Sequence, residues 1–262
     1  MIRTALLCCL VALATTLHAA HEVKSDTVTY QDGDVTLKGF LAVPADLVGT
    51  APGVLVAHDW FGCGPYAQQR AKELAARGYV AFALDMYGDG RVVSKREDAA
   101  ALAGGFYKDL PLMVRRARAG LGVLTSQGTV DKARLAAIGF CFGGTVALNL
   151  ARSGDPLAGV VSFHGGLKAA VATSEGGIKA RLLVLQGGAD PFVPPADVAA
   201  FMEEMTKAKA LWRMETYGGA VHSFSNPTAG DNVASGSAYN VEAEKLSIAA
   251  MERFFGEIFA VQ

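Results

Sequence analysis

Short apolar runs recur along this chain at Gly53–Ala57, Tyr79–Leu84, Leu135–Gly139, Gly159–Phe163 and Leu182–Leu185. A strand that is apolar on both faces must be covered on both faces, the condition of a strand inside a parallel sheet. Between these runs lie stretches of helical periodicity: Ala67–Arg77 with Gly78 at its C-terminal cap, Glu97–Tyr107, Leu112–Leu124, Phe142–Arg152, Ala196–Lys207 and Val241–Phe259. Trp212–Tyr217 adds one more strand. The alternation predicts an α/β chain with a mostly parallel central sheet and helices on both faces. Its start differs: Thr27–Tyr30 and Val35–Val43 flank Gln31-Asp-Gly-Asp34, the pattern of an antiparallel hairpin at a sheet edge. No repeat, linker or shift in composition divides residues 21–262, which are expected to form a single domain.

Charge sets limits on partners. Lys and Arg number 24 against 25 Asp and Glu, and the basic residues are scattered, so no nucleic-acid footprint is present. The first twenty residues stand apart, with Arg3, an apolar run from Ala5 to Leu17, and small residues at Ala19 and Ala20. This reads as a signal peptide cleaved after Ala19 or Ala20, giving an exported protein, periplasmic or secreted. The run is short for a membrane span, so no membrane association is expected after cleavage. Removal of Cys8 and Cys9 leaves Cys63 and Cys141, too few for a disulfide framework. Neither cysteine nor histidine spacing suggests zinc, and no metal or cofactor is expected.

The joint between one strand and its helix carries the strongest chemical signal. Gly139-Phe-Cys-Phe-Gly-Gly144 has the spacing of the nucleophile elbow G-x-S-x-G, with Cys141 in the serine position. A strand that turns directly into a helix crowds its neighbours, and glycines remove the side chains that would clash. At the start of a helix, unpaired N–H groups favour a thiolate and can bind an oxyanion. Against this stands the frequent fate of a free cysteine as a buried, inert residue. A phosphate loop is excluded by spacing and by the absence of its lysine.

Ligands gather beyond the carboxyl ends of parallel strands. His58 and Asp59, Asp85, Cys141, Asp190 and His222 all follow a predicted strand. A nucleophile, an acid and a histidine in that chain order match α/β-hydrolase triads. His164, in Phe163-His-Gly-Gly166, reads as a hydrogen-bonded histidine near the site or a substrate contact.

Over nearly the whole mature chain the sequence resembles the dienelactone hydrolase family of α/β-hydrolases. The matching pieces are His58-Asp-Trp-Phe-Gly62, Ala83-Leu-Asp-Met-Tyr-Gly88, the cysteine elbow, Gly188-Ala-Asp-Pro-Phe-Val193 and Val221-His-Ser-Phe224. The resemblance implies an α/β-hydrolase fold and a catalytic triad of Cys141, Asp190 and His222. It also implies an oxyanion hole from the backbone N–H groups of Trp60 and Phe142. In well-known members a glutamate stands where this chain has Asp59 and contacts the nucleophile, so Asp59 is expected to shape the site or touch the thiol. An arginine that grips substrate carboxylate is replaced by Asn226, with Arg91, Arg96 and Tyr87 as further candidates for substrate contact.

The expected reaction is hydrolysis of a small carboxylic ester or lactone through a thioester acyl-enzyme. Thioesterase or peptidase chemistry with the same triad, and a non-catalytic small-molecule binder on a hydrolase scaffold, are the alternatives. The protein is expected to be a monomer or small homo-oligomer. Cys63, in Phe61-Gly-Cys-Gly-Pro65, reads either as a thiol bordering the pocket, able to form a regulatory disulfide with Cys141, or as a small loop residue.

Overall fold

Side chains alternate across each strand, and that alternation sorts the core into two layers. Residues 20–169 and 173–260 are described by the computed structural model, so the expected signal peptide lies almost wholly outside the described residues. The chain runs β1 (Val23–Asp32), β2 (Val35–Pro44), β3 (Ala51–Ala57), α1 (Pro65–Ala76), β4 (Val80–Leu84), α2 (Arg96–Lys108) and α3 (Leu110–Ser126). It continues through β5 (Val130–Phe140), α4 (Phe142–Arg152), β6 (Gly159–Phe163), β7 (Arg181–Gly187), α5 (Pro195–Lys207), β8 (Trp212–Tyr217) and α6 (Val241–Phe259). All eight strands join one sheet in the order β1-β2-β4-β3-β5-β6-β7-β8. β1 and β2 form the antiparallel hairpin, β2 pairs antiparallel with β4, and every later pairing is parallel.

Leu55 and Ala57 of β3 join Phe82 and Leu84 of β4 in a core layer beneath α2, α3, α4 and α5. Val54 and Val56 point the other way, with Ala81 and Ala83, into a layer covered by α1 and α6. Period-two burial on both faces is why these strands read as continuous apolar runs. Helix starts follow local chemistry: the Asp109 side chain accepts from Leu112 N–H at α3, and Asn240 accepts from Ala243 N–H at α6. β5 begins at Val130, before the predicted Leu135. An irregularity opposite Pro52 and Gly53 lets Val130 and Asp131 pair with β3 although the intervening Lys132-Ala-Arg134 breaks the apolar run.

The parallel strands deliver their carboxyl ends to one edge of the sheet. His58, Asp85, Cys141 and His164 each follow the last residue of a strand, and the loops after β7 and β8 carry Asp190 and His222.

Candidate active site

At the end of β5 the chain turns into α4 through a single residue. Cys141 adopts φ 54° and ψ −116°, a conformation that side chains other than glycine rarely take. The turn is so tight that a Cβ on Gly139 would lie 1.9 Å from the Gly143 carbonyl oxygen. One on Gly143 would lie 2.1 Å from that of Ala57. The glycines are required by the close approach of backbones, and they leave the Cys141 side chain partly exposed. Strain gathers here: His164 and Ser223 also have positive φ, of 40° and 59°.

Cys141 lines a cavity of 380 Å³ together with Asp59, Trp60 and His222. His222 is oriented from behind, its Nδ1 bonded at 2.9 Å to Oδ2 of Asp190, whose side chain is fully buried. Asp190 is itself fixed, accepting from Phe192 N–H at 2.8 Å and from the Gln186 amide at 3.3 Å. With Nδ1 so engaged, Nε2 is the ring nitrogen left to serve Cys141, which lines the same cavity. Burial disfavours the charged imidazole, but the charge on Cys141 and the hydrogen bonds to Asp190 and Cys141 outweigh it and push His222 up to about 10.

Asp59 is nearly buried at the cavity wall and its Oδ1 accepts from Phe61 N–H at 2.9 Å. Burial raises its carboxyl to about 6, against the opposing pull of that N–H and of His222. Among the described residues, the N–H groups of Trp60 and Phe142 have no hydrogen-bond acceptor, one because it lies in a turn and the other because it opens α4. Two unpaired donors beside a sulfur and an imidazole can accept the charge that develops on a carbonyl oxygen under attack.

The candidate substrate contacts divide. Arg96 and Asn226 line the cavity. Asn226 spends its side-chain oxygen on the Thr228 N–H and hydroxyl, at 3.0 and 2.8 Å. Arg91 does not line the cavity: its loop docks on the segment after β3, with Val93 N–H donating to Phe61 O at 2.9 Å, and the Arg91 side chain is left exposed. Tyr87 is also outside the lining. Its hydroxyl donates to Trp60 O at 2.8 Å and its ring stacks on Phe142.

His164 is buried behind the elbow rather than open to substrate. Its Nδ1 shares the Cys141 N–H with Phe163 O, at 3.1 and 3.0 Å, so its proton sits on Nε2, which donates to Ser225 Oγ at 2.8 Å. Burial, with the charges of His222 and Arg70, holds it well below the usual histidine range. Ser225 continues the chain of polar contacts to Tyr66 and Arg70, and Arg70 pairs with Glu244 of α6. Asp85 is likewise structural, its carboxylate accepting from the N–H groups of Lys38, Tyr87, Gly88 and Gly90.

Cys63 is not at the pocket. It is buried in the layer under α1, its thiol donates to Ala83 O at 3.4 Å, and burial pushes it up to about 12. Both described cysteines are free. Sequence reasoning missed Tyr107, Phe192, Ser223 and Thr228 in the cavity wall and Gln186 behind Asp190. Only Gln186 left a signal, as a polar residue ending an apolar strand.

A family model described as the dienelactone hydrolase family matches residues 37–259. Among solved structures, m3DLH is 39% identical with a TM-score of 0.87, covering 90% of this chain and 98% of its own. A dienelactone hydrolase-like promiscuous phosphotriesterase from metagenomic libraries is 38% identical with a TM-score of 0.84, over the same shares. Among curated proteins, an uncharacterized protein of Caenorhabditis elegans is 39% identical over 147 residues, 55% of this chain and 93% of its own.

Proposed function

The chain belongs to the dienelactone hydrolase family, and from that premise we propose that it hydrolyses small carboxylic esters or lactones through a thioester on Cys141. One observation carries the reading. In the wall of one open cavity, an imidazole bonded to a buried carboxylate shares the lining with a cysteine at a strained strand-to-helix turn, whose charge raises that imidazole.

The cycle follows from that arrangement. The Cys141 thiolate attacks the carbonyl carbon, and the Trp60 and Phe142 N–H groups hold the oxyanion, each contributing on the order of 3 kcal/mol. His222 donates its proton to the departing alkoxide. Once the sulfur is acylated its negative charge is gone, and with it two of the causes that keep His222 protonated. The imidazole, neutral after giving up its proton and no longer driven to regain one, is free to act as general base and takes a proton from the water that cleaves the thioester. Asp190 keeps the ring oriented throughout.

Thiolate is a better leaving group than an alkoxide, so activated esters and lactones turn over faster than amides. The exposed Arg96 at the cavity rim favours an acid portion that carries negative charge. The similarity to a promiscuous phosphotriesterase makes an activated phosphotriester a second probe of the same sulfur.

The test is hydrolysis of short activated esters, thioesters and amides by the mature protein. A stoichiometric acyl-thioester on Cys141 followed by its release is the expected result. Full activity in Cys141→Ala sinks the assignment, and labelling without release favours the binding-protein reading. Export is proposed alongside, and an N-terminus at Ala20 or His21 in the processed protein is its signature.

A further inference from the structure

The Trp60 N–H belongs to a loop peptide, and a loop peptide can rotate about its flanking bonds with little displacement of side chains. Rotated, it would turn the Asp59 carbonyl oxygen toward the sulfur and repel the oxyanion it is meant to bind. The turn after β3 contains no helix or strand ladder that would prevent this, and the backbone's own hold on that carbonyl is one long hydrogen bond, from Gly62 N–H to Asp59 O at 3.4 Å.

His58 supplies the closer restraint. Its imidazole is fully buried, and Met86 N–H donates to its Nε2 at 3.2 Å. A backbone amide can only donate, so the ring proton is on Nδ1, where it donates to Asp59 O. The described chain has no cis peptide, so the carbonyl and N–H of the Asp59–Trp60 unit point in opposite directions. Tying the carbonyl to His58 therefore aims the Trp60 N–H away from His58, and that N–H has no acceptor among the described residues. The next carbonyl, Trp60 O, is held at 2.8 Å by the Tyr87 hydroxyl, and the His58 and Tyr87 rings meet edge to face, 4.9 Å apart. Burial lowers His58 to about 4, so near neutrality it keeps one donor and one acceptor.

We infer that His58 is a positioning residue that holds the Asp59–Trp60 peptide in the orientation that makes it an oxyanion donor. The inference rests on the ester-hydrolase reading above.

Two readouts separate this role from general support of the fold. Ester hydrolysis needs the oxyanion donor. Alkylation of Cys141 by iodoacetamide needs the thiolate but passes through no oxyanion. His58→Leu removes both hydrogen bonds at similar volume, and His58→Asn keeps an amide donor near the Nδ1 position. His58→Leu is expected to lower kcat on an activated ester about 10²-fold, with KM and the alkylation rate within about twofold of wild type. His58→Asn is expected to regain at least about tenfold of that loss. Full kcat in His58→Leu, an equal fall in alkylation, or no recovery in His58→Asn overturns the inference. Independently of any variant, nitrogen NMR of the wild-type protein should find His58 protonated at Nδ1, and a proton on Nε2 overturns it as well. Cys141→Ala serves as the control for the underlying reading. Hydrolysis surviving in Cys141→Ala defeats the nucleophile assignment, whereas its loss there beside a fully active His58→Leu defeats only the role of His58.

Discussion

At the floor of the cavity, Asp190 and His222 are joined at 2.9 Å and the Trp60 carbonyl is held at 2.8 Å, all on segments that follow strands. At the rim, Arg96 and Phe192 are exposed, and Arg96 has no hydrogen bond or ion pair among the described residues. Floor groups have their donor and acceptor roles assigned before substrate arrives, so they lose little freedom when charge develops. Rim groups must be ordered by the substrate itself. Under the proposed mechanism, reaction type and substrate choice are carried by different parts of one pocket, and substitutions at the two should differ in kind as well as size.

The largest expected effect is at the floor. Asp190→Asn keeps the shape but cannot hold an imidazolium, and should lower kcat by about 10³- to 10⁴-fold with KM little changed. A KM effect of comparable size would mean that Asp190 serves binding. Next comes the charge coupling. Cys141→Ala removes the sulfur charge and hydrogen bond that raise His222, so its titration, followed by NMR, should move down from about 10. An unmoved value would show that Asp190 alone sets it.

Asp59 sharpens the comparison from the boundary between floor and rim. Its carboxyl is raised to about 6 from the ordinary aspartate value of 3.8, so the folded state holds the proton more tightly than the unfolded chain. Its contribution to stability is most favourable below about pH 4 and declines as pH rises to about 6, beyond which the cost stays constant. Asp59→Asn should therefore stabilise the protein above pH 6, by at most about 3 kcal/mol, and flatten the profile between pH 4 and 6 in thermal melts. A destabilised Asp59→Asn at pH 7 would reverse the sign. The smallest effect belongs to the rim. Arg96→Ala should slow an ester with a carboxylate on its acid portion about threefold, as expected for one exposed charge pair, and leave a neutral ester unchanged. Equal loss on both substrates would place Arg96 in packing rather than recognition.

Three buried or nearly buried histidines show how far composition can mislead. His58, His164 and His222 all follow strands, yet burial holds the first two neutral while the sulfur and Asp190 hold the third charged. That His222 would pair with Asp190 was legible because His222 alone completes the nucleophile–acid–histidine order. What the others do was not, because the partners of His164 and His58 come from Cys141, Ser225, Asp59 and Met86 through tertiary packing.

The sequence by itself determined the layered parallel sheet, since strands apolar on both faces have no other stable environment. It also determined the strained elbow, since Gly139 and Gly143 permit a backbone approach that any side chain would block. Only the tertiary structure decided between Arg91 and Arg96, sent Cys63 into the layer under α1, and turned Tyr87 from the cavity to the Trp60 carbonyl. Each of those outcomes depends on how a loop docks on its neighbours. Docking is fixed by hydrogen bonds between residues distant in sequence, and local patterning does not encode them.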